Sequence, residues 1–399
     1  MGRRNIFAAC LLAALACGAA EADLRKPQAA DAPPVLRMPD GRRIATAKAW
    51  LDTARPQVVE FFDANVYGRL PPRPAKLSFD LVERGMAFGG AAERRQYVVR
   101  SGDACGTHAF DVLVCLPKGA AGAVPAFVYP NFSGNHTLVD DPAVRLFEGH
   151  PFGNRPRARG ERKDRAPVEE IVRRGFAFAT FCYGAIYPDY APSDRDAAPD
   201  SVWTIFPKER WPREVLAHPT WSWGSMRVRD LLETLPEIDQ GKVAVAGHSR
   251  MGKNAIETGV HDERFALVCA NGGGAKSLKF LPNLRYPHWF SANLRPYAAC
   301  YRLGQPVEEL AAQAAKFPDP PFDQAAFAAC IAPRALVVSA ATRDGSSPPA
   351  ASRMLLDGAE PVFRLFGKSI GWHLTEGPHA ITSEEWRYFM DYARDALKW

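Results

Sequence analysis

Short apolar runs bounded by turn-forming residues recur along the chain from about residue 96 onward. They read QYVVR (96–100), AFDVLVCLP (109–117), VPAFVYPNF (124–132), FAFATFCY (176–183), KVAVAGHS (242–249), FALVCANG (265–272), RALVVSAAT (334–342) and PVFRLFG (361–367). Most lack polar alternation, which predicts strands buried on both faces. Helical spacing intervenes in VEEIVRRG (168–175), SMRVRDLLETL (225–235), GKNAIETGV (252–260) and SEEWRYFMDYARDAL (383–397). Strands alternating with helices predict an α/β fold, a mostly parallel central sheet with helices on both faces. Upstream, residues 44–63 also carry helical spacing, and Pro71-Pro72-Arg73-Pro74 punctuates the chain after them.

The first residues follow a different pattern. Arg3 and Arg4 precede an apolar run from Ile6 to Ala16, and Ala20-Glu21-Ala22 supplies a small-residue cleavage site. This predicts a signal peptide over residues 1–22, and hence a secreted or periplasmic protein. The run falls short of the roughly 20 residues that span a bilayer, so no membrane association is expected after cleavage. Residues 23–74 then form an N-terminal extension with a helix, and 75–399 a catalytic domain. Export bears on the cysteines. Of eight, Cys10 and Cys17 leave with the signal, and the other six are dispersed with no C-x-x-C pair. Buried free thiols are expected inside the strand runs, although an oxidising compartment also permits disulfides. No metal and no organic cofactor is implied.

Charge adds little. The net charge of +6 becomes +5 once Arg3, Arg4 and Glu21 are removed, and the densest basic stretch, NRPRARGERKDR (154–165), has the Gly and Pro content of a solvated loop. No aromatic residues interleave with it, so nucleic acid is excluded as a partner. A monomer is expected.

Candidate chemistry concentrates in VAVAGHSRMGKNAI (243–256), where an apolar strand runs through Gly247-His248-Ser249 directly into a helix. A strand ending in G-x-S at a helix start is the pattern of a nucleophile elbow, which lifts the serine hydroxyl to the carboxyl edge of the sheet beside unpaired helix N–H groups. The usual second glycine, two residues after the serine, is replaced by Met251, with Gly252 following. The α/β-hydrolase chain order of serine, acid, histidine places the base in EGPHAITSEEW, at His379, in preference to the strand-like His373. The acid is Asp344, at the end of RALVVSAATRDG, although Asp-Gly is also a common turn pair. Arg250 can support an oxyanion, and Lys253, one helical turn on, can hold a substrate hydroxyl or carboxylate. The loop Asn131-Phe132-Ser133-Gly134 is positioned to offer a second backbone donor. Trp203, Phe206, Trp211, Trp221, Trp223 and Trp289 crowd the connections, and Trp289 is the best candidate for substrate contact.

The runs GHSRMGK, HDERFAL, YPHWFSANLRPY and NFSGNHT resemble the glucuronoyl esterases of carbohydrate esterase family fifteen, especially their bacterial branch, over residues 75–399. The resemblance implies an attacking Ser249, an oxyanion-supporting Arg250 and a sugar-contacting Lys253. It also marks departures. Many members carry a catalytic glutamate 23 residues after the serine, where this chain has Gly272; others use an aspartate at a position matching Asp344. The tryptophan expected shortly after that aspartate is replaced by Ser346 or Ser347. Three readings follow: a serine esterase cleaving a glucuronoyl ester of plant cell-wall carbohydrate, an acetyl- or acyl-sugar esterase, and a non-catalytic carbohydrate-binding relative.

Overall fold

A computed structural model describes residues 35–147, 157–189, 201–273, 278, 288–294, 296–297 and 316–399. The predicted signal peptide, residues 1–22, and Cys300 lie outside the described residues. Nine strands form one sheet: β1 (Lys76–Ala87), β2 (Ala92–Asp103), β3 (Gly106–Pro117), β4 (Val124–Asn131), β5 (Ala177–Cys182), β6 (Ile238–His248), β7 (Leu267–Asn271), β8 (Ala335–Ala341) and β9 (Gly371–Thr375). Their spatial order is β1-β2-β3-β5-β4-β6-β7-β8-β9. The first three strands and the β3–β5 pair are antiparallel, and every pair from β5 to β9 is parallel.

The parallel strands read as unbroken apolar runs because alternate residues enter two different cores. Val243 and Val245 of β6 join Ala126 and Val128 of β4 in one cluster, while Ala244, Ala246, Phe127 and Tyr129 point into the other. The first cluster is capped by α3 (Ala217–Glu233) and α4 (Arg250–His261). The second is capped by α2 (Val168–Arg173) and α7 (Ser383–Leu397), whose Trp386 packs against Phe127 and Phe178 and whose Phe389 and Met390 join the same cluster. Helix α7 starts at a capping box in which Thr382 and Glu385 satisfy each other's backbone donors. Helices α5 (Gln324–Ala329) and α6 (Pro349–Leu365) close the first face.

Two elements differ from the pattern-based expectation. PVFRLFG is no strand; it is the end of α6, where Val362 and Phe363 extend a buried stripe begun by Leu355, Leu356 and Ala359. A run of seven is too short for periodicity to separate a strand from a buried helical turn. Strand β1 gave no apolar signal because it is the sheet edge, partly exposed on both faces along KLSFDLVERGMA. Upstream of it, α1 (Arg55–Asn65) follows a short helical turn (Ala47–Ala49) and a π-helical turn (Trp50–Ala54), and buries Val58 and Phe62. Phe62 stacks on Phe327 of α5 at 4.4 Å. Cys115, Cys182, Cys269 and Cys330 are buried free thiols, and Cys105 is an exposed one. No helix among the described residues is long and apolar enough to cross a membrane.

Candidate active site

Strand β6 delivers Ser249 to the carboxyl edge of the sheet with φ 59° and ψ −123°, a conformation L-residues rarely adopt. Two close backbone approaches make that turn possible. A Cβ on Gly247 would stand 1.9 Å from the carbonyl oxygen of Met251, and one on Gly252 would stand 2.6 Å from that of Asn271. Gly252 thus meets the neighbouring strand end, three residues after the serine.

Three loops converge on the Ser249 hydroxyl. His379 Nε2 lies 2.8 Å from Ser249 Oγ, and His379 Nδ1 lies 2.6 Å from Asp344 Oδ2. The other carboxylate oxygen of Asp344 accepts from the Ser346 and Ser347 amides at 2.8 and 2.7 Å. The serines that replace the expected tryptophan therefore help form the turn holding this buried carboxylate. His373 sits in β9 and stacks on Tyr388 at 4.5 Å. Gly272 adopts φ 53°, and a Cβ there would lie 3.1 Å from His379 Cε1 and 3.4 Å from Asp344 Oδ2. Position 272 and Asp344 thus approach the same histidine, and a side chain at 272 would press on the His379 ring.

Arg250, the first residue of α4, pairs with Asp189, and its guanidinium lies 4.7 Å from the Trp289 ring centre. Asp189 was not singled out in the sequence. It also accepts from Tyr183 Oη (2.7 Å), Trp289 Nε1 (2.8 Å) and His288 Nε2 (3.0 Å). Burial alone would raise its carboxyl pKa, but the His288 hydrogen bond, the Arg250 charge and the other two donors hold it below the ordinary value. Trp289 is 3% exposed, so it meets the site through Arg250 and not as an open stacking platform. Trp203, Trp221 and Trp223 are likewise buried, each donating its indole N–H within the protein.

The loop after β4 is closed by one of its own side chains. Asn131 Oδ1 accepts from the Ser133 and Gly134 amides, so these two donors turn inward to close the loop. Lys253 lines a cavity with Tyr67, Ile256, Gly273, Gln324 and Leu355. Burial, then the nearby charge of Arg250, pushes its pKa down to about 8 against the opposing pull of Asp344. Among the described residues no group of three or more His, Cys, Asp or Glu side chains could hold a metal ion. A serine hydroxyl bonded to a carboxylate-anchored imidazole, with a fixed guanidinium beside it, can perform nucleophilic acyl transfer.

Known proteins share this architecture. A family model described as glucuronyl esterase, fungi, matches residues 164–367. The chain is 31% identical over 401 residues to the carbohydrate esterase MZ0003 of an unknown prokaryotic organism, covering 90% of this chain and 88% of that one. Among solved structures, a glucuronoyl esterase from Solibacter usitatus superposes with a TM-score of 0.78 at 29% identity, over 91% of this chain and 97% of that one. A structure described as a promiscuous CE15 esterase from a marine bacterial metagenome gives 0.75 at 30% identity, over 91% and 96%.

Proposed function

Because the chain belongs to the glucuronoyl esterase family, we propose that it is an exported serine esterase that hydrolyses glucuronoyl esters of plant cell-wall carbohydrate through Ser249, His379 and Asp344. The observation that carries this reading is the continuous hydrogen-bonded chain from Ser249 Oγ through His379 to Asp344. His379 takes the serine proton as Oγ attacks the ester carbonyl, and Asp344 holds the ring in the tautomer that leaves Nε2 free to accept. The tetrahedral oxyanion is stabilised by Arg250, whose charge Asp189 and Trp289 hold in place. His379 then protonates the leaving alcohol, and water releases the uronic acid by the reverse sequence. Lys253, still largely an ammonium at neutral pH, donates to an oxygen of the sugar.

A broader acyl-sugar esterase activity is the second reading. It is favoured by the replacement of the expected tryptophan by Ser346 or Ser347, and it accords with the relative described as promiscuous. Side-by-side kcat/KM values on benzyl glucuronate and acetylated xylan test the choice. The uronoyl reading requires the glucuronate ester to be preferred; equal or inverted values give the broader one.

A further inference from the structure

His248, immediately before the nucleophile, has no role in the steps above, yet its ring lies against that of His379. The two centroids are 4.6 Å apart with 37° between the planes, and Phe132 approaches the His248 ring edge-to-face at 6.2 Å. His248 is fixed along its edge as well. Its Nδ1 meets Asn271 Oδ1, and Asn271 Nδ2 donates to Ser339 Oγ at 3.0 Å. This chain crosses the adjoining strands β6, β7 and β8 just below the catalytic loops. An amide oxygen only accepts, so Nδ1 carries a proton. Burial, with repulsion from His379 next, pushes the His248 pKa down to about 3, which keeps the ring uncharged through the working range.

We propose that His248 is a positioning residue for His379: its neutral ring, pinned between Phe132 and the Asn271–Ser339 chain, fixes the His379 plane and offers an aromatic face to the imidazolium formed during turnover. This rests on the reading of Ser249, His379 and Asp344 as the catalytic residues. An aromatic face attracts a cation lying against it, most strongly where water is excluded. The charged groups bearing on the histidine pair are Asp344, hydrogen-bonded to His379, and Arg165, whose charge acts on His248; Arg250 lies over the Phe132 ring, and Lys253 senses the Asp344 charge. Of these charged groups Asp344 contacts a His379 ring nitrogen, and the His248 face adds a contact on the ring plane that favours imidazolium over imidazole.

The test compares His248→Leu with His248→Phe on benzyl glucuronate, alongside Ser249→Ala. Both His248 variants lose the bond to Asn271, and only phenylalanine keeps an aromatic face, so their difference reads the ring contact. His248→Leu should lower kcat about tenfold with KM little changed and move the acid limb of kcat/KM down by about half a pH unit or more, whereas His248→Phe should stay within about threefold of wild type. The sign follows from the charge: losing a contact that favours imidazolium moves the acid limb to lower pH. Indistinguishable variants, or an acid limb that moves upward, overturn the inference. Should His248→Leu not fold, His248→Met removes the same face. A Ser249→Ala protein that still turns over defeats the catalytic reading itself; an inactive one beside equivalent Leu and Phe variants defeats only the role of His248.

Discussion

The Ser249 hydroxyl is held in a turn that only the neighbouring glycines allow, and it touches nothing in the site except through His379 among the hydrogen bonds described. Ser249→Ala should therefore abolish ester hydrolysis while leaving the melting temperature within a few degrees of wild type; activity near wild type would remove the elbow from the mechanism. Asp344→Asn keeps the shape but permits the wrong His379 tautomer, and kcat should fall by about 10⁴. A loss under tenfold would mean that the acid lies elsewhere. Asp189 acts one step further out. With Asn at 189, Arg250 loses its countercharge and its fixed orientation, so kcat should drop about 10²-fold with a much smaller change in KM, as expected for a contact made chiefly in the transition state. A pure KM effect would assign Arg250 to substrate binding instead.

At the scale of elements, helix α4 presents Arg250 and Lys253 from its first turn, and the environment divides their behaviour. Arg250 stays charged, whereas Lys253 loses its proton as pH rises through about 8. KM for a glucuronate ester should accordingly rise above that pH, and Lys253→Gln should flatten the dependence; a KM independent of pH between 7 and 9 would exclude the ammonium from binding. The β6–α4 junction was legible in the sequence because its requirements are local: small residues, a G-x-S turn and a helix start. His379 and Asp344 were legible because each ends a recognisable run beside a turn. Asp189 was not, since its partners Tyr183, Arg250, His288 and Trp289 come from separate segments and nothing local marks a turn aspartate as a buried anchor. His248 escaped notice for the same reason: its stacking partner lies 131 residues away. PVFRLFG misled because a helix buried along one stripe and a short strand share the same apolar letters.

Across the whole molecule, the segment before β1 is built into the main core. Trp50, Val58, Phe62 and Tyr67 are buried there, Arg55 donates to the carbonyls of Val260 and Cys330, and Tyr67 bonds to Gln324 beside the Lys253 cavity. Phe62→Ala should cost about 3–5 kcal/mol in denaturant unfolding, as a large aromatic deletion from a packed core does. A chain shortened to begin at residue 75 should fail to fold cooperatively; a truncated protein with a wild-type melting transition would separate the extension from the catalytic unit. The sheet edge and its loops bring Ser249, His379 and Asp344 to one point, and the proposed function makes that point the reactive centre. Reaction with a fluorophosphonate, followed by peptide mass mapping, tests it directly. One phosphonyl group on the peptide containing Ser249, absent from Ser249→Ala and strongly slowed in His379→Ala, is the expected result; an unlabelled protein, or a label on another serine, would contradict it.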